Sequence, residues 1–196
     1  MGWCGRWKPH DGSKKTFVES LYTYDHETHK GRIEDISIRG NVAYGICFET
    51  DKKTGIESHE ALVIMLDCKG SEWYYKTCGE SCGPYHHDAP KSILDRLDSL
   101  GEPPWEFAKE WRAKCREYQA KKKSAPKLQN GDQVHFAKPL NFSFFEESNF
   151  KVEMRGRSGT AVAFRANNGT LCRIPKWRTR DFVVLGYLAP QQPQLI

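Results

Sequence analysis

The stretch "RIEDISIRGNVAYGICF", residues 32–48, carries the clearest strand signal in the chain. Apolar residues alternate with other residues on both sides of a Gly40-Asn41 turn: Ile36, Ile38, Val42, Tyr44, Ile46 and Phe48. Alternation on both sides of such a turn predicts a β-hairpin. The apolar run "ALVIML", residues 61–66, then predicts a buried central strand, and "WYYKT", residues 73–77, predicts a fourth strand. Four sequential antiparallel strands are the simplest arrangement.

The periodicity changes from two to about 3.6 after residue 90. One helical face collects Ile93, Leu94, Leu97 and Leu100 before Gly101 ends the pattern. A second helix follows Pro103-Pro104, with an apolar stripe of Trp105, Ala108, Trp111, Cys115 and Tyr118. A sheet followed by two amphipathic helices predicts an α+β domain over residues 1–124, because both helices need a surface to cover. The boundary is placed near Ser124, within the linker-like segment "AKKKSAPKLQNGD".

The residues beyond Ser124 show strand patterns and no helical pattern. Turn residues separate the candidates, which are "DQVHF" (132–136), "FKVEM" (150–154), "TAVAFRA" (160–166), "TLCRI" (170–174) and "DFVVLG" (181–186). Five short strands in so few residues predict a small SH3-like β-barrel over residues 125–190. The tail, residues 191–196, is predicted to be disordered.

Hydropathy and cysteine usage restrict the location of the protein. The longest apolar run, residues 61–66, is far shorter than the ~18 residues of a membrane span. The amino terminus has no apolar core of the kind found in signal peptides. Seven cysteines are an odd number and match no disulfide framework, so they are predicted to be free thiols. We therefore expect a cytoplasmic protein with no membrane partner.

The positive charge is concentrated towards the carboxyl end. Residues 1–124 hold 20 basic and 20 acidic side chains, whereas residues 125–196 hold 10 and 5. Arginine suits bidentate phosphate contacts, and a tryptophan between basic residues offers a stacking surface for a base. The candidate residues for binding nucleic acid or another partner are Arg155, Arg157, Arg165, Arg173, Lys176, Trp177, Arg178 and Arg180. A solubilising surface and a surface for an acidic protein are the alternatives.

The stretch "CGESCGPYHHDAPKSIL", residues 78–94, allows three interpretations. The first is a zinc site, since thiolates and imidazoles are the ligands that zinc prefers. Its candidate ligands are Cys78, Cys82 and one of His86 or His87, with further ligands to come from Cys4, His10 or Cys68. The spacing does not match that of structural zinc sites, so neither zinc nor another cofactor is assigned. The second interpretation makes Cys78 or Cys82 a nucleophile.

The third interpretation explains more of these residues. Gly83-Pro84 forms a tight turn, Asp88 lies at or next to the N-cap of the following helix, and Pro90 lies in its first turn. Tyr85, His86 and His87 are then loop residues that recognise a partner. We expect this structural helix start to be the main role of the stretch.

Three segments resemble an uncharacterised family of small proteins carried by bacteriophages, prophages and mobile elements. They are Met1–Trp3, Gly83–Leu94 and Glu110–Glu117, and the likeness covers roughly residues 1–120. The family begins Met-Gly-Trp and carries a Gly-Pro and an Asp-x-Pro before a short helix, which Gly83, Pro84, Asp88 and Pro90 match. The chain departs from the pattern at Cys82, where the family has methionine, and at Ala89, where it has cysteine. The resemblance implies that the gene is carried by a phage or mobile element and that the protein acts in a bacterial host cell. It implies no mechanism.

Enzyme motifs are absent from the sequence. It contains no phosphate-cradling glycine loop, no paired zinc motif and no serine nucleophile elbow. We therefore expect a non-enzymatic phage or mobile-element accessory protein that binds nucleic acid or a ribonucleoprotein through its basic carboxy-terminal part. One alternative is a protein-directed inhibitor of a bacterial defence system, such as an anti-CRISPR, whose partner is a host defence protein. A second alternative is a zinc-binding or cysteine-dependent enzyme.

Overall fold

A computed structural model describes residues 2–155 and 161–185. The chain divides into two compact units, Met1–Gln119 and Ala120–Ile196, and the division falls within the last helix. The boundary predicted at Ser124 is the final residue of that helix, and as a domain boundary it stays a prediction. The predicted disordered tail, 191–196, lies outside the described residues. No helix in the described part of the chain is long and apolar enough to cross a membrane.

The first unit is built on a six-stranded antiparallel sheet with three helices. In chain order its elements are β1 (Cys4–Trp7), α1 (Lys14–Tyr22), β2 (Tyr24–Asp25), β3 (His29–Arg39), β4 (Val42–Asp51), β5 (Glu57–Asp67), β6 (Glu72–Gly79), α2 (Lys91–Ser99) and α3 (Glu106–Ser124). The strand order is β1-β6-β5-β4-β3-β2. The predicted four-stranded sheet with two helices is therefore wrong. The four central strands lie near the predicted segments, but β1, β2 and α1 were missed.

Both faces of this sheet are covered. Successive residues of a strand point to opposite faces, so Tyr44 and Ala43 belong to different cores. Tyr44 packs in a cluster with residues of α2 and α3, including Leu97 and Trp111. Ala43 packs in a second cluster that includes Phe17 of α1. The first unit therefore has three layers, with α1 on one face and α2 and α3 on the other.

Helix α1 begins at a side-chain cap. Ser13 has extended backbone angles, and its hydroxyl accepts hydrogen bonds from the backbone N–H groups of Lys15 and Thr16 at 3.2 and 3.4 Å. The carboxylate of Asp11 accepts from the Ser13 N–H at 3.0 Å and from the Thr16 hydroxyl at 2.7 Å. These hydrogen bonds satisfy donors that a helix start otherwise leaves unpaired, which allows a helix of only nine residues to form here.

The second unit contains an open five-stranded antiparallel sheet. Its strands are β7 (Gln133–Phe142), β8 (Phe145–Arg155), β9 (Ala161–Ala166), β10 (Leu171–Cys172) and β11 (Phe182–Leu185). The order is β10-β9-β8-β7-β11, so that, among the described residues, β10 and β11 are the two edges and do not pair. The predicted small SH3-like barrel is therefore wrong. Strands as long as β7 and β8 form one extended hairpin, which the short predicted segments did not show.

Aromatic side chains fill the core of the second unit. Phe136 packs edge-to-face against Phe150 at 5.8 Å and against Phe164 at 5.9 Å between ring centroids. Trp177, from the connection between β10 and β11, packs against Phe164 at 5.9 Å and Phe182 at 5.7 Å. Edge-to-face contacts of this kind are favoured by the ring quadrupoles. The β10–β11 connection is thereby fixed to the core by Trp177.

Candidate functional site

The two units differ in charge. Residues 1–119 carry 17 basic and 20 acidic side chains, whereas residues 120–196 carry 13 basic and 5 acidic side chains. The formal charge is therefore −3 for the first unit and +8 for the second. A surplus of this size raises the local concentration of anions around the second unit.

Three clefts in the second unit share one residue, Arg180. Their volumes are about 350, 280 and 160 Å³. We call them together the Arg180 groove. The basic side chains that line it are Lys121, His135, Lys138, Arg173, Arg178 and Arg180. Asp181 is the only acidic residue among the described residues that line these clefts, and Lys121 lies 3.8 Å from its carboxylate. The groove is therefore strongly cationic.

The connection between β10 and β11 holds the arginines of the groove in place. Its single helical turn is closed by hydrogen bonds from the Thr179 N–H to the Lys176 carbonyl at 3.0 Å and from the Arg180 N–H to the Trp177 carbonyl at 3.1 Å. The Arg180 side chain donates from Nε to the Pro175 carbonyl at 3.3 Å. The carbonyl of Asp181 accepts from a backbone N–H of β7 at 2.9 Å. The segment is thus fixed by the backbone and by Trp177.

Trp177 does not offer the stacking surface expected from the sequence. Its side chain is 9% exposed and lies in the core. The guanidinium carbon of Arg178 lies 4.5 Å from its ring centroid, which is a cation–π contact. The basic residues that flank Trp177 in the sequence, Lys176 and Arg178, are exposed in this turn, whereas Trp177 points inward.

Two of the predicted arginines lie outside the groove. Arg155 and Arg165 both bind the carboxylate of Glu153, and Arg165 also donates to the Gly169 carbonyl at 2.7 Å. The hydrogen bond from Arg165, followed by that from Arg155, lowers the pKa of Glu153 below its usual value. Arg157 lies outside the described residues. The structure therefore brings together Arg173, Arg178 and Arg180, with Lys176 in the same connection, and leaves Arg155 and Arg165 in local ion pairs.

Sequence analysis missed three side chains of the groove. His135 and Lys138 lie on β7, and Lys121 lies in the last turn of α3. His135 alternates with the buried Val134 and Phe136, so the strand pattern indicates its exposed face. Which strand lies beside the β10–β11 connection depends on the sheet order, and the sequence pattern does not provide it.

The second candidate region, residues 78–90, is a tightly held loop. The Tyr44 hydroxyl donates to the Asp88 carboxylate, and the Arg39 guanidinium donates to the Asp88 carbonyl at 2.6 Å. The Trp111 indole donates to the His86 carbonyl at 2.8 Å. The side-chain amide of Gln119 donates to the carbonyl of Ala89 at 2.6 Å. The loop is therefore tied to both the sheet and α3.

Asp88, which the third interpretation puts at or next to the N-cap of α2, lies two positions before the N-cap residue, Pro90, and its carboxylate accepts from the Tyr44 hydroxyl. Gly83 has a φ of +63°, which a glycine adopts without strain. Pro90 is the N-cap residue of α2, one position before the predicted first turn, and Pro84 is buried. Tyr85 is 98% exposed, whereas His86 and His87 are half-buried. A partner-recognition role for these three residues stays a prediction.

The zinc and nucleophile interpretations of Cys78 and Cys82 stay predictions. In the described part of the chain, no group of three or more Cys, His, Asp and Glu side chains is placed to hold a metal ion. Burial, and then the charge of Cys82, raises the pKa of the Cys78 thiol above its usual value. A raised pKa leaves less of the thiolate that a nucleophile needs.

A buried ion pair joins Glu80, directly after β6, to α3. Glu80 is fully buried, and it accepts hydrogen bonds from Nε and Nη2 of Arg112, both at 2.7 Å. The Ala61 N–H donates to the same carboxylate at 3.2 Å, and Arg112 also donates to the Gly101 carbonyl at 3.3 Å. Because both charges are paired and hydrogen-bonded, this feature is a structural link within the first unit.

Comparisons with known proteins give one family. A domain of unknown function, DUF6927, matches residues 102–177, which is less than half of the chain. No curated protein and no solved structure matches the chain significantly. The matched range covers α3 and most of the second unit but ends before Arg178 and Arg180. Nothing in these comparisons concerns a bacteriophage origin or the Met-Gly-Trp start, so that resemblance stays a prediction.

Proposed function

We propose that the second unit binds nucleic acid through the Arg180 groove. The observation that carries this proposal is the lining of the groove, where five lysine and arginine side chains occur with one carboxylate, that of Asp181. A chain of phosphates is a ligand whose repeated negative charge matches three cationic clefts that share Arg180. Non-enzymatic binding of this kind agrees with the role expected from the sequence.

The types of basic residue favour phosphate as the group that is bound. The guanidinium groups of Arg173, Arg178 and Arg180 present planar pairs of N–H donors, which bind two phosphate oxygens at once. All three side chains are exposed. Contacts to phosphate position the nucleic acid but do not read its base sequence, so we expect binding that tolerates many sequences. The charge of +8 on the second unit supports rapid association at low salt.

The test is fluorescence anisotropy of the full chain with a labelled oligonucleotide over a range of salt concentrations. We expect the logarithm of the association constant to fall linearly with the logarithm of salt concentration. The double variant Arg173→Ala/Arg180→Ala removes two groove cations, so affinity falls and the slope decreases by about one for each phosphate that is no longer neutralised. The matched control is Arg155→Ala/Arg165→Ala, which removes the same charge from the same unit outside the groove.

Two results would overturn the proposal. One is the absence of binding to any nucleic acid at low salt, and the other is an equal loss of affinity in the groove variant and the control. Pull-down from a bacterial lysate with and without nuclease adds a separate arm. A protein partner that stays bound after nuclease treatment, and that the Arg180 groove variant still captures, would favour the protein-directed inhibitor instead.

A further inference from the structure

An exposed phenylalanine, Phe144, lies two residues along the chain from Phe142, which lines one cleft of the Arg180 groove. Ser143 and Phe144 are the two residues of the turn between β7 and β8, and the Phe144 side chain is 98% exposed. Its neighbours behave differently, because Phe142 and Phe145 stack on each other at 4.8 Å between ring centroids and pack against the core. Phe144 therefore adds nothing to the core, and its ring is free to meet a ligand.

The position of Phe144 relates it to the arginines. Asn141 and Phe142 line the 280 Å³ cleft together with Arg173 and Arg180. Phe144 follows Phe142 by two residues, a distance of at most about 7 Å along the backbone. The exposed ring of Phe144 therefore belongs to a residue within about 7 Å of backbone from a cleft that two arginines line.

We infer that the Arg180 groove takes a single strand of nucleic acid, with Phe144 stacking on one of its bases. This inference rests on the proposed function, since it specifies which nucleic acid the groove binds. A single strand exposes the faces of its bases, and proteins bind such strands by combining a cationic groove with aromatic side chains. In a duplex the base faces are covered by neighbouring base pairs, so the ring of Phe144 has no face to meet.

The structure also explains why the sequence pointed to the wrong aromatic residue. Trp177 lies between basic residues in the sequence, but it is buried and covered by Arg178. Phe144 lies in an acidic segment, "FFEES", yet it follows by two residues Phe142, which lines a cleft together with Arg173 and Arg180. The combination of stacking and phosphate contacts thus comes from two segments about 30 residues apart in the sequence.

The experiment compares three probes on the full chain at low salt. They are a labelled single strand, the duplex of the same sequence, and the same single strand with abasic sites in place of its bases. We expect the single strand to bind more tightly than the other two. Phe144→Ala should weaken binding of the single strand by about tenfold and leave the duplex and the abasic strand unchanged. Phe144→Trp keeps an aromatic ring at this position, so this variant should bind the single strand about as tightly as the parent chain.

The control variant is Phe107→Ala, which removes another exposed phenylalanine, one that is 62% exposed in the first unit. Phe107→Ala should leave all three affinities unchanged. Salt-dependent binding that Phe144→Ala does not weaken, or a duplex that binds as tightly as the single strand, would overturn this inference and leave the proposed function standing. Failure of all three probes to bind would overturn both.

Discussion

The buried ion pair between Glu80 and Arg112 predicts a large loss of stability on truncation of the arginine. Arg112→Leu removes two hydrogen bonds of 2.7 Å from the fully buried carboxylate and leaves it with the Ala61 N–H at 3.2 Å. Breaking a buried pair by removing one partner costs about 3–5 kcal/mol, because the remaining charge stays buried without compensation. For a unit of this size, the loss lowers the melting temperature by on the order of 15 °C.

Urea denaturation followed by tryptophan fluorescence measures this loss. Five of the six tryptophans lie in residues 1–119, so the signal reports mainly the first unit. The control is Arg116→Leu on the same helix, where the guanidinium binds Asp95 and Asp98 at the surface. Surface ion pairs contribute little, so the control should lose only a small fraction of the stability that Arg112→Leu loses.

A double variant separates the buried charge from the packing of the side chain. Glu80→Gln in the Arg112→Leu background removes both charges and keeps an oxygen that can accept from the Ala61 N–H. We expect it to recover about half or more of the lost free energy of unfolding, since a neutral amide is cheaper to bury than an unpaired carboxylate. A loss in Arg112→Leu no larger than in the Arg116→Leu control, or a double variant less stable than Arg112→Leu, would refute the reasoning.

Three further predictions concern the cap of α1 and the cysteines. Ser13→Ala should lower the free energy of unfolding by about 1 kcal/mol, measured by urea denaturation, because two backbone N–H groups lose their acceptor. Hydrogen bonds from the Ser13 N–H and then from Thr16 lower the pKa of Asp11. The ionised Asp11 should therefore stabilise the folded protein relative to the Asp11→Asn variant. This stabilisation should be full above about pH 5 and decline as the pH falls below the unfolded pKa of about 3.9. The exposed Cys4 and Cys82 should react rapidly with a thiol reagent near neutral pH, whereas burial raises the pKa of Cys115 to about 12 and should prevent its reaction until the protein unfolds.

Each of these has an outcome that contradicts it. A Ser13→Ala variant as stable as the parent would show that water replaces the cap without cost. A constant difference between the parent and Asp11→Asn from pH 7 to pH 3 would exclude a lowered pKa in the folded state. Rapid labelling that persists after Cys4→Ser and Cys82→Ser would show that another thiol is accessible in the folded protein.

The central strands of the first unit were predictable because their apolar residues are periodic. The sequence predicted a hairpin with a turn at Gly40. In the structure Gly40 has a φ of +62°, and β3 and β4, which flank the turn, pair with each other. Strands β1 and β2 were missed because one has four exposed residues and the other has two residues in all. Their pairing depends on neighbours distant in sequence, and no local pattern contains that information.

Helix α1 was missed although its signals are present. Asp11 and Ser13 precede "KKTFVESLY", and Phe17, Val18 and Leu21 recur at helical spacing. With Tyr22 these are four apolar residues in nine, and Leu21 and Tyr22 are adjacent as Phe17 and Val18 are, so the pattern alone does not separate a helix from a loop. The helix forms because Phe17 and Val18 bury against the second face of the sheet.

The candidate site was predictable as a charge surplus but not as an arrangement. Clustering of arginine in the sequence identified Arg173, Arg178 and Arg180, which line the groove. It also selected Arg155 and Arg165, because composition does not show that Glu153 lies between them. Whether Arg165 meets a carboxylate is decided by the register of β8 and β9, which pairs Arg165 with Lys151 and so places it diagonally across from Glu153.

Fixing the β10–β11 connection to the core by Trp177 has a consequence for the thermodynamics of association. The guanidinium groups on that connection keep their spacing before any ligand arrives, so little backbone freedom remains to be lost on binding. Core substitutions beneath Trp177, such as Phe164→Leu, would loosen the connection without touching a single cation. Affinity for a polyanion should then decline together with the rigidity of the connection, at unchanged net charge.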